Sequence, residues 1–151
     1  MEISHSQTML LLILSLFLLP TLRAVPYEDC GLQGSPVEAT GVEVLEITKR
    51  DARIKISGST SKTINGGFVS VRIEGYGPGE SESDKYNLCQ LMACPVAPGA
   101  FKLEFVEMLP PNYSESTIDY SVELEVLDDK EDIIMCLNFR FKALRPTVVS
   151  A

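Results

Sequence analysis

The chain has 151 residues, with 13 Lys and Arg against 21 Asp and Glu, one His, four Cys and no Trp, for a formal net charge of −8. That length suits one domain. The acidic balance excludes nucleic acid as a partner, because that binding depends on neutralising phosphates with Lys and Arg.

The first feature is an apolar run from Met9 to Leu19, followed by Pro20 and the small residue Ala24. It reads as a secretory signal peptide over residues 1–24. The run is shorter than the roughly 20 apolar residues a bilayer crossing needs, and no second run follows, so a soluble mature chain is expected. Cleavage after Ala24 removes His5 and leaves 127 residues with 12 basic and 20 acidic side chains and no histidine. Ser-His-Asp and Cys-His hydrolysis, His-ligated zinc and imidazole acid–base chemistry then have no means of operating. No catalytic residue, metal or cofactor is expected.

The mature chain runs in steps of two. Val42 and Val44 give way to Leu45 and Ile47, a change of apolar side. Ile54 and Ile56 alternate with Arg53 and Lys55, and Val69, Val71 and Ile73 alternate with Ser70, Arg72 and Glu74. Phe101, Leu103 and Phe105 alternate with Lys102 and Glu104, after which the apolar side passes to Val106 and Met108, predicting a bulge. Ile118, Tyr120, Val122, Leu124 and Val126 form the most regular run, and Leu137, Phe139 and Phe141 the last. Each is the pattern of a half-buried strand. Turn signals separate them at Asn65-Gly66-Gly67, Gly75 to Gly79, Pro98-Gly99, Pro110-Pro111-Asn112 and Asp128 to Asp132. Beyond the signal peptide no stretch has a helical period.

Six or seven such strands bury their apolar faces only by stacking two sheets or closing a barrel. An all-β, immunoglobulin-like sandwich of two antiparallel sheets over residues 25–142 is predicted, with 143–151 a poorly ordered tail. The four cysteines, behind a signal peptide, imply two disulfides. Of three possible pairings, Cys89 and Cys94 flank a span that one turn can close, and Cys30 and Cys136 lie near the two ends, so 30–136 with 89–94 is the choice.

Other features have plain readings. Gly75 to Gly79 lacks the following helix a phosphate loop requires, and reads as a turn. The acids at 128, 129, 131 and 132 lack the spacing of a calcium loop and read as a solvated hairpin turn. Asn112-Tyr113-Ser114 is an N-glycosylation sequon in a turn. Residues 76–135 hold 13 acidic and 3 basic side chains. Lys49, Arg50, Arg53 and Lys55, and Arg140, Lys142 and Arg145, are basic outward positions that would suit transient docking on an anionic membrane surface.

Asp29-Cys30-Gly31, Cys89-xxxx-Cys94-Pro95, Gly99 and Phe101, Leu109-Pro110, Leu127-Asp128-Asp129 and Cys136-Leu137, in this order, resemble the ML domain family of secreted lipid-recognition proteins. Tyr86-Asn87-Leu88-Cys89 and Ile54-Lys55-Ile56-Ser57 are similar to its plant-type members. The resemblance implies an immunoglobulin-like sandwich with an apolar cavity between its sheets, the disulfide pairing given above, and a sterol or phospholipid as ligand. The chain lacks the additional early cysteine pair of the animal sterol carrier, and its loop Gly75 to Asp84 is Gly-rich and acidic. In an arbitrary sandwich the inward stripes would pack against each other. The resemblance instead makes Val71, Ile73, Phe101, Leu103, Phe105, Tyr120, Val122, Leu124, Leu137 and Phe139 the expected lipid lining. A monomeric carrier is expected in the apoplast, the extracellular space, or a vacuole or lysosome. The competing expectation is a secreted recognition module with a filled core that binds a protein partner through its loops.

Overall fold

The structure, a computed structural model, describes residues 7–10, 12–13, 24–31, 33–48, 50–75, 81–110 and 117–144. The apolar run Met9 to Leu19 is thus described only in part, and Asn112, Lys49, Arg145 and residues 76–80 of the Gly-rich turn lie outside the described residues. No helix among the described residues is long and apolar enough to cross a membrane.

Eight strands follow one another as β1 (Tyr27–Asp29), β2 (Val37–Ile47), β3 (Asp51–Thr60), β4 (Gly67–Glu74), β5 (Ser81–Asn87), β6 (Gly99–Met108), β7 (Thr117–Asp128) and β8 (Ile133–Leu144). A four-residue helix, α1 (Leu88–Leu91), follows β5; Asn87 Oδ1 caps it by accepting from the Cys89 amide at 2.9 Å. One sheet has the order β1-β8-β7-β4-β5 and the other β2-β3-β6, with all neighbours antiparallel. Their apolar faces share one core. This is the predicted two-sheet sandwich.

Alternation decides which side chains form that core. Rows such as Ile73–Val122–Phe139 and Val71–Leu124–Leu137 cross three adjacent strands in register, and all six residues are buried. Where alternation fails, the chain bends: β2 shifts register between Ala39 and Gly41 and again between Val44 and Glu46. The second shift is the change of side read at Val44 and Leu45.

The expected bulge in β6 is not there. Its pairing with β3 runs without a shift from Gly99 opposite Thr60 to Met108 opposite Asp51. Strict alternation therefore carries Glu107 inward, with 0% of its surface exposed, and sends Val106 and Met108 outward, 48% and 61% exposed. The ten paired positions of β3 hold the register against the local apolar preference. Two further differences concern extent. The acidic segment expected as a loop through Asp84 becomes strand from Ser81, added at the edge of β4, and β8 continues to Leu144, with Ala143 buried.

Local geometry fixes the joints. Gly67 has φ +146°, and a Cβ there would lie 1.9 Å from the Leu127 carbonyl oxygen, so the approach of β4 to β7 requires glycine. At the β7–β8 turn, Asp128 Oδ1 accepts from the amides of Lys130 and Asp132 at 2.9 and 3.0 Å, as expected of a solvated hairpin turn. The disulfides pair Cys30 with Cys136 and Cys89 with Cys94.

Candidate functional site

The two long sides of the sandwich are closed differently. On the β1/β2 side the sheets are joined through the backbone: the Val25 amide donates to Val42 O at 2.9 Å. The Tyr27 hydroxyl donates to Ala39 O at 2.9 Å, the Ser35 hydroxyl to Ile134 O, and Cys30–Cys136 ties the end of β1 to β8. On the opposite side, the edges of the two sheets are β5 and β6. Across these edges the Tyr86 hydroxyl lies 2.9 Å from Glu107 Oε2 and 3.2 Å from Val106 O, and Asp84 shares a hydrogen bond with the Glu107 carboxyl. The Tyr86 ring also sits 5.7 Å from that of Phe105.

All ten residues expected to line a ligand are brought to one interior. Val71 and Ile73 on β4, Tyr120, Val122 and Leu124 on β7, and Leu137 and Phe139 on β8 cover the inner face of the larger sheet. Leu103 and Phe105 face them from β6; Phe101 is half-buried and packs on the same core. Its ring covers Gly58 across the β3–β6 pair, where a Cβ would come within 2.7 Å of it. The hydroxyl on this stripe, that of Tyr120, donates to Pro110 O at 3.2 Å.

The inner face changes character at β5. Asp84 stands opposite Val71 and Glu82 opposite Ile73, so the apolar rows of β4 end in carboxylates at the sheet edge. Across the gap Glu107 closes the row of Phe105 on β6. Its carboxyl accepts from Tyr86 and shares a hydrogen bond with Asp84. Glu43 Oε2 is ion-paired with Lys55 at 3.4 Å. Removal from water is the main reason the Glu107 carboxyl is pushed up to about 8; the neighbouring Asp84 and Glu82 add to this, while the Tyr86 hydrogen bond opposes it. Burial likewise raises the Tyr86 phenol, helped by its bond to Glu107 and by the Asp84 charge. Below about pH 8 the buried acid therefore keeps its proton, with Asp84 and Glu82 beside it at the rim.

Periodicity alone misplaced Glu107, because apolar Val106 and Met108 competed for the inward side. The signal that could have found it is the unbroken step of two from Phe101 through Phe105. Tyr86, Asp84 and Glu82 had no such signal, since β5 is polar throughout.

The outer faces carry paired charges. Arg53 lies 3.6 Å from Glu104, Lys55 3.4 Å from Glu43, and Lys142 3.9 Å from Asp119. Three of the basic residues considered for membrane docking thus have acidic partners on neighbouring strands. An open groove of about 790 Å³ lies on the outside of the larger sheet, where Arg72, Glu74, Glu123 and Arg140 line it. Its charged lining makes it unlike the interior just described.

Comparison with known proteins agrees with this architecture. The ML domain profile matches residues 24–143. The MD-2-related lipid-recognition protein ROSY1 of Arabidopsis thaliana is 33% identical, covering 94% of this chain and 92% of its own. MD-2-related lipid-recognition protein 3 of the same plant is 35% identical, covering 99% of each. Among solved structures, a Niemann-Pick type C2 protein from Japanese carpenter ant superposes with a TM-score of 0.52 at 13% identity, over 78% of this chain and 98% of that one. Chicken MD-1 complexed with lipid IVa gives 0.51 at 15% identity, over 78% and 94%. The folds agree, and the chain belongs to the ML domain family of lipid-recognition proteins.

Proposed function

We propose that the protein is a lipid carrier of the secretory route, which takes a sterol or phospholipid between its sheets and performs no chemistry on it. The observation that carries this reading is the inner face itself: apolar rows across β4, β7 and β8 meet Leu103 and Phe105 of β6, beside a margin joined through the side chains of Tyr86 and Asp84. A lipid chain leaves a membrane only for surroundings about as apolar, at about 0.8 kcal/mol for each CH₂ transferred. Parting β5 from β6 is the least costly way in, because it breaks side-chain hydrogen bonds and no backbone ladder. The relatives support the class of ligand: two are named as lipid-recognition proteins, chicken MD-1 was solved with lipid IVa, and a Dictyostelium discoideum relative, 25% identical, is named as a putative phosphatidylglycerol/phosphatidylinositol transfer protein. The ten lining residues are those assigned above, and glycosylation at Asn112 belongs to the same secretory reading.

Native mass spectrometry of the secreted, monomeric protein tests it. A co-purifying lipid of defined mass, exchanged by added sterol or phospholipid vesicles, is the expected result. A bare protein that extracts no lipid from either vesicle would refute it.

A further inference from the structure

At the β5/β6 margin three side chains form one run of hydrogen bonds. The Tyr86 hydroxyl donates to Glu107 Oε2 at 2.9 Å, and the Glu107 carboxyl shares a further hydrogen bond with Asp84. Two carboxyls can bond to each other only while one of them holds a proton, because an ionised carboxylate only accepts. Glu107 is the member that keeps it: its surface is 0% exposed, whereas Asp84 stands on an exposed strand, and burial disfavours the charged form. One proton thus decides whether the contact from one sheet edge to the other attracts or repels. The other groups facing the pair do not replace it. Glu82 is the neighbouring inward residue of β5, beside apolar Val71 and Ile73 of β4. Ala52 stands opposite Glu107 on β3, and from β7 the Tyr120 hydroxyl donates to Pro110 O at 3.2 Å. Arg53, Arg72, Lys85 and Lys102, like Asp51 and Glu104, stand on the outward parity of their strands.

We propose that the proton shared by Glu107 and Asp84 is a latch on lipid entry: with it the β5/β6 margin is closed, and without it the two edges part and open the interior. Only the identity of what enters rests on the carrier reading; the latch itself needs only the fold. Loss of the proton leaves two charged carboxylates at hydrogen-bond range with Glu82 nearby, and separation relieves their repulsion. The opposite margin does not respond in this way. There the Val25 amide donates to Val42 O and the Tyr27 hydroxyl to Ala39 O, and backbone carbonyls do not titrate. Acid therefore closes the β5 side and alkali frees it, while the β1/β2 side stays joined. Because the Glu107 carboxyl is pushed up to about 8, the change is centred near that pH.

Two readouts on the mature, disulfide-bonded protein between pH 5 and 9 test the latch. The first needs no lipid. Val71→Cys places a thiol on the inner face opposite Asp84, and its labelling by methyl methanethiosulfonate reports opening of the margin. The same thiol is followed in Glu107→Gln and Asp84→Asn backgrounds, so that its own ionisation cancels at each pH. Either amide keeps a donor in the pair without titrating. All three proteins should label alike at pH 5. At pH 9 the protein with both acids should label about tenfold or more faster than the others, the factor that loss of one hydrogen bond to a charged group supplies. The second readout is the entry rate of N-phenyl-1-naphthylamine, an uncharged apolar fluorophore. It should rise with a midpoint near pH 8 in the unaltered protein and stay level in both variants. Equal labelling of the three proteins at pH 9 overturns the latch. So does measurable entry that ignores pH in the unaltered protein, or that rises as steeply in both variants. Labelling that follows the proton while the fluorophore enters none of the proteins would sustain the latch and remove the carrier reading.

Discussion

Replacing Glu107 by glutamine isolates the energetic cost of a buried acid, because glutamine keeps the shape and can still accept from Tyr86 but does not titrate. In the folded protein this carboxyl holds its proton up to about pH 8, and in the unfolded chain it releases it near the ordinary value of 4.5. Between those values the folded state binds the additional proton, so the contribution of this group to stability is fully present below about pH 4.5. It is lost as pH rises to 8 and is constant above. At 1.4 kcal/mol for each tenfold in the proton equilibrium the whole loss would approach 5 kcal/mol; relaxation and water entry at the rim bring the expectation to about 2–5 kcal/mol. Urea unfolding of both proteins at unit steps from pH 5 to 9 reads it directly, with other carboxylates cancelling in the difference. Glu107→Gln should match the unaltered protein near pH 5 and exceed it by about 2–5 kcal/mol at pH 9. Two curves that stay parallel over that range would show that Glu107 is ionised and hydrated in the fold, and the argument for a neutral buried acid would fail.

Other expectations follow from the same geometry. Val122 is 1% exposed at the middle of β7; if the interior holds lipid, Val122→Phe should abolish lipid binding at equal or higher thermal stability, whereas in a filled core it costs about 1–3 kcal/mol with binding unaltered. Tyr86→Phe removes the hydrogen bond that lowers the Glu107 pKa, so the carboxyl should titrate above 8 in a side-chain carbon NMR titration; a fall would contradict the assigned donor. Gly67→Ala places a methyl group against the Leu127 carbonyl at a φ of +146° and should cost about 2–4 kcal/mol in denaturant unfolding; a loss below about 0.5 kcal/mol would show that β4 and β7 can separate there.

The parts of the fold legible in the sequence are those where one face of a strand is dry. Val69, Val71 and Ile73, Ile118 to Val126, and Leu137 to Phe141 alternate because each second residue enters the core, and the same rule located the change of side in β2. β5 was illegible: all of Ser81 to Lys85 is exposed, so burial leaves no period in it, and it is a strand because β4 offers a free edge to pair with. The candidate site was half legible for a related reason. Apolar stripes announce a lining, but a polar residue inside a strand is read as outward by the same rule, and only the unbroken ladder to β3 reveals that Glu107 points in. The margin between β5 and β6 is a meeting of two sheet edges far apart in sequence, which no local pattern encodes.

Four strands, β1, β5, β2 and β6, end their sheets and leave backbone donors and acceptors unpaired along one side, though residues 24 and 25 cover part of β2. Such edges invite pairing with another copy of the chain. β1 is only three residues long and β2 is bent by two register shifts, both of which spoil a template. β5 is protected by charge instead, with Glu82, Asp84 and Lys85 all exposed. β6 ends in exposed Val106 and Met108, the least defended stretch of the four. Resistance to edge-to-edge aggregation therefore depends on charged side chains around a sticky strand end, and it should weaken as added salt screens the charges of β5.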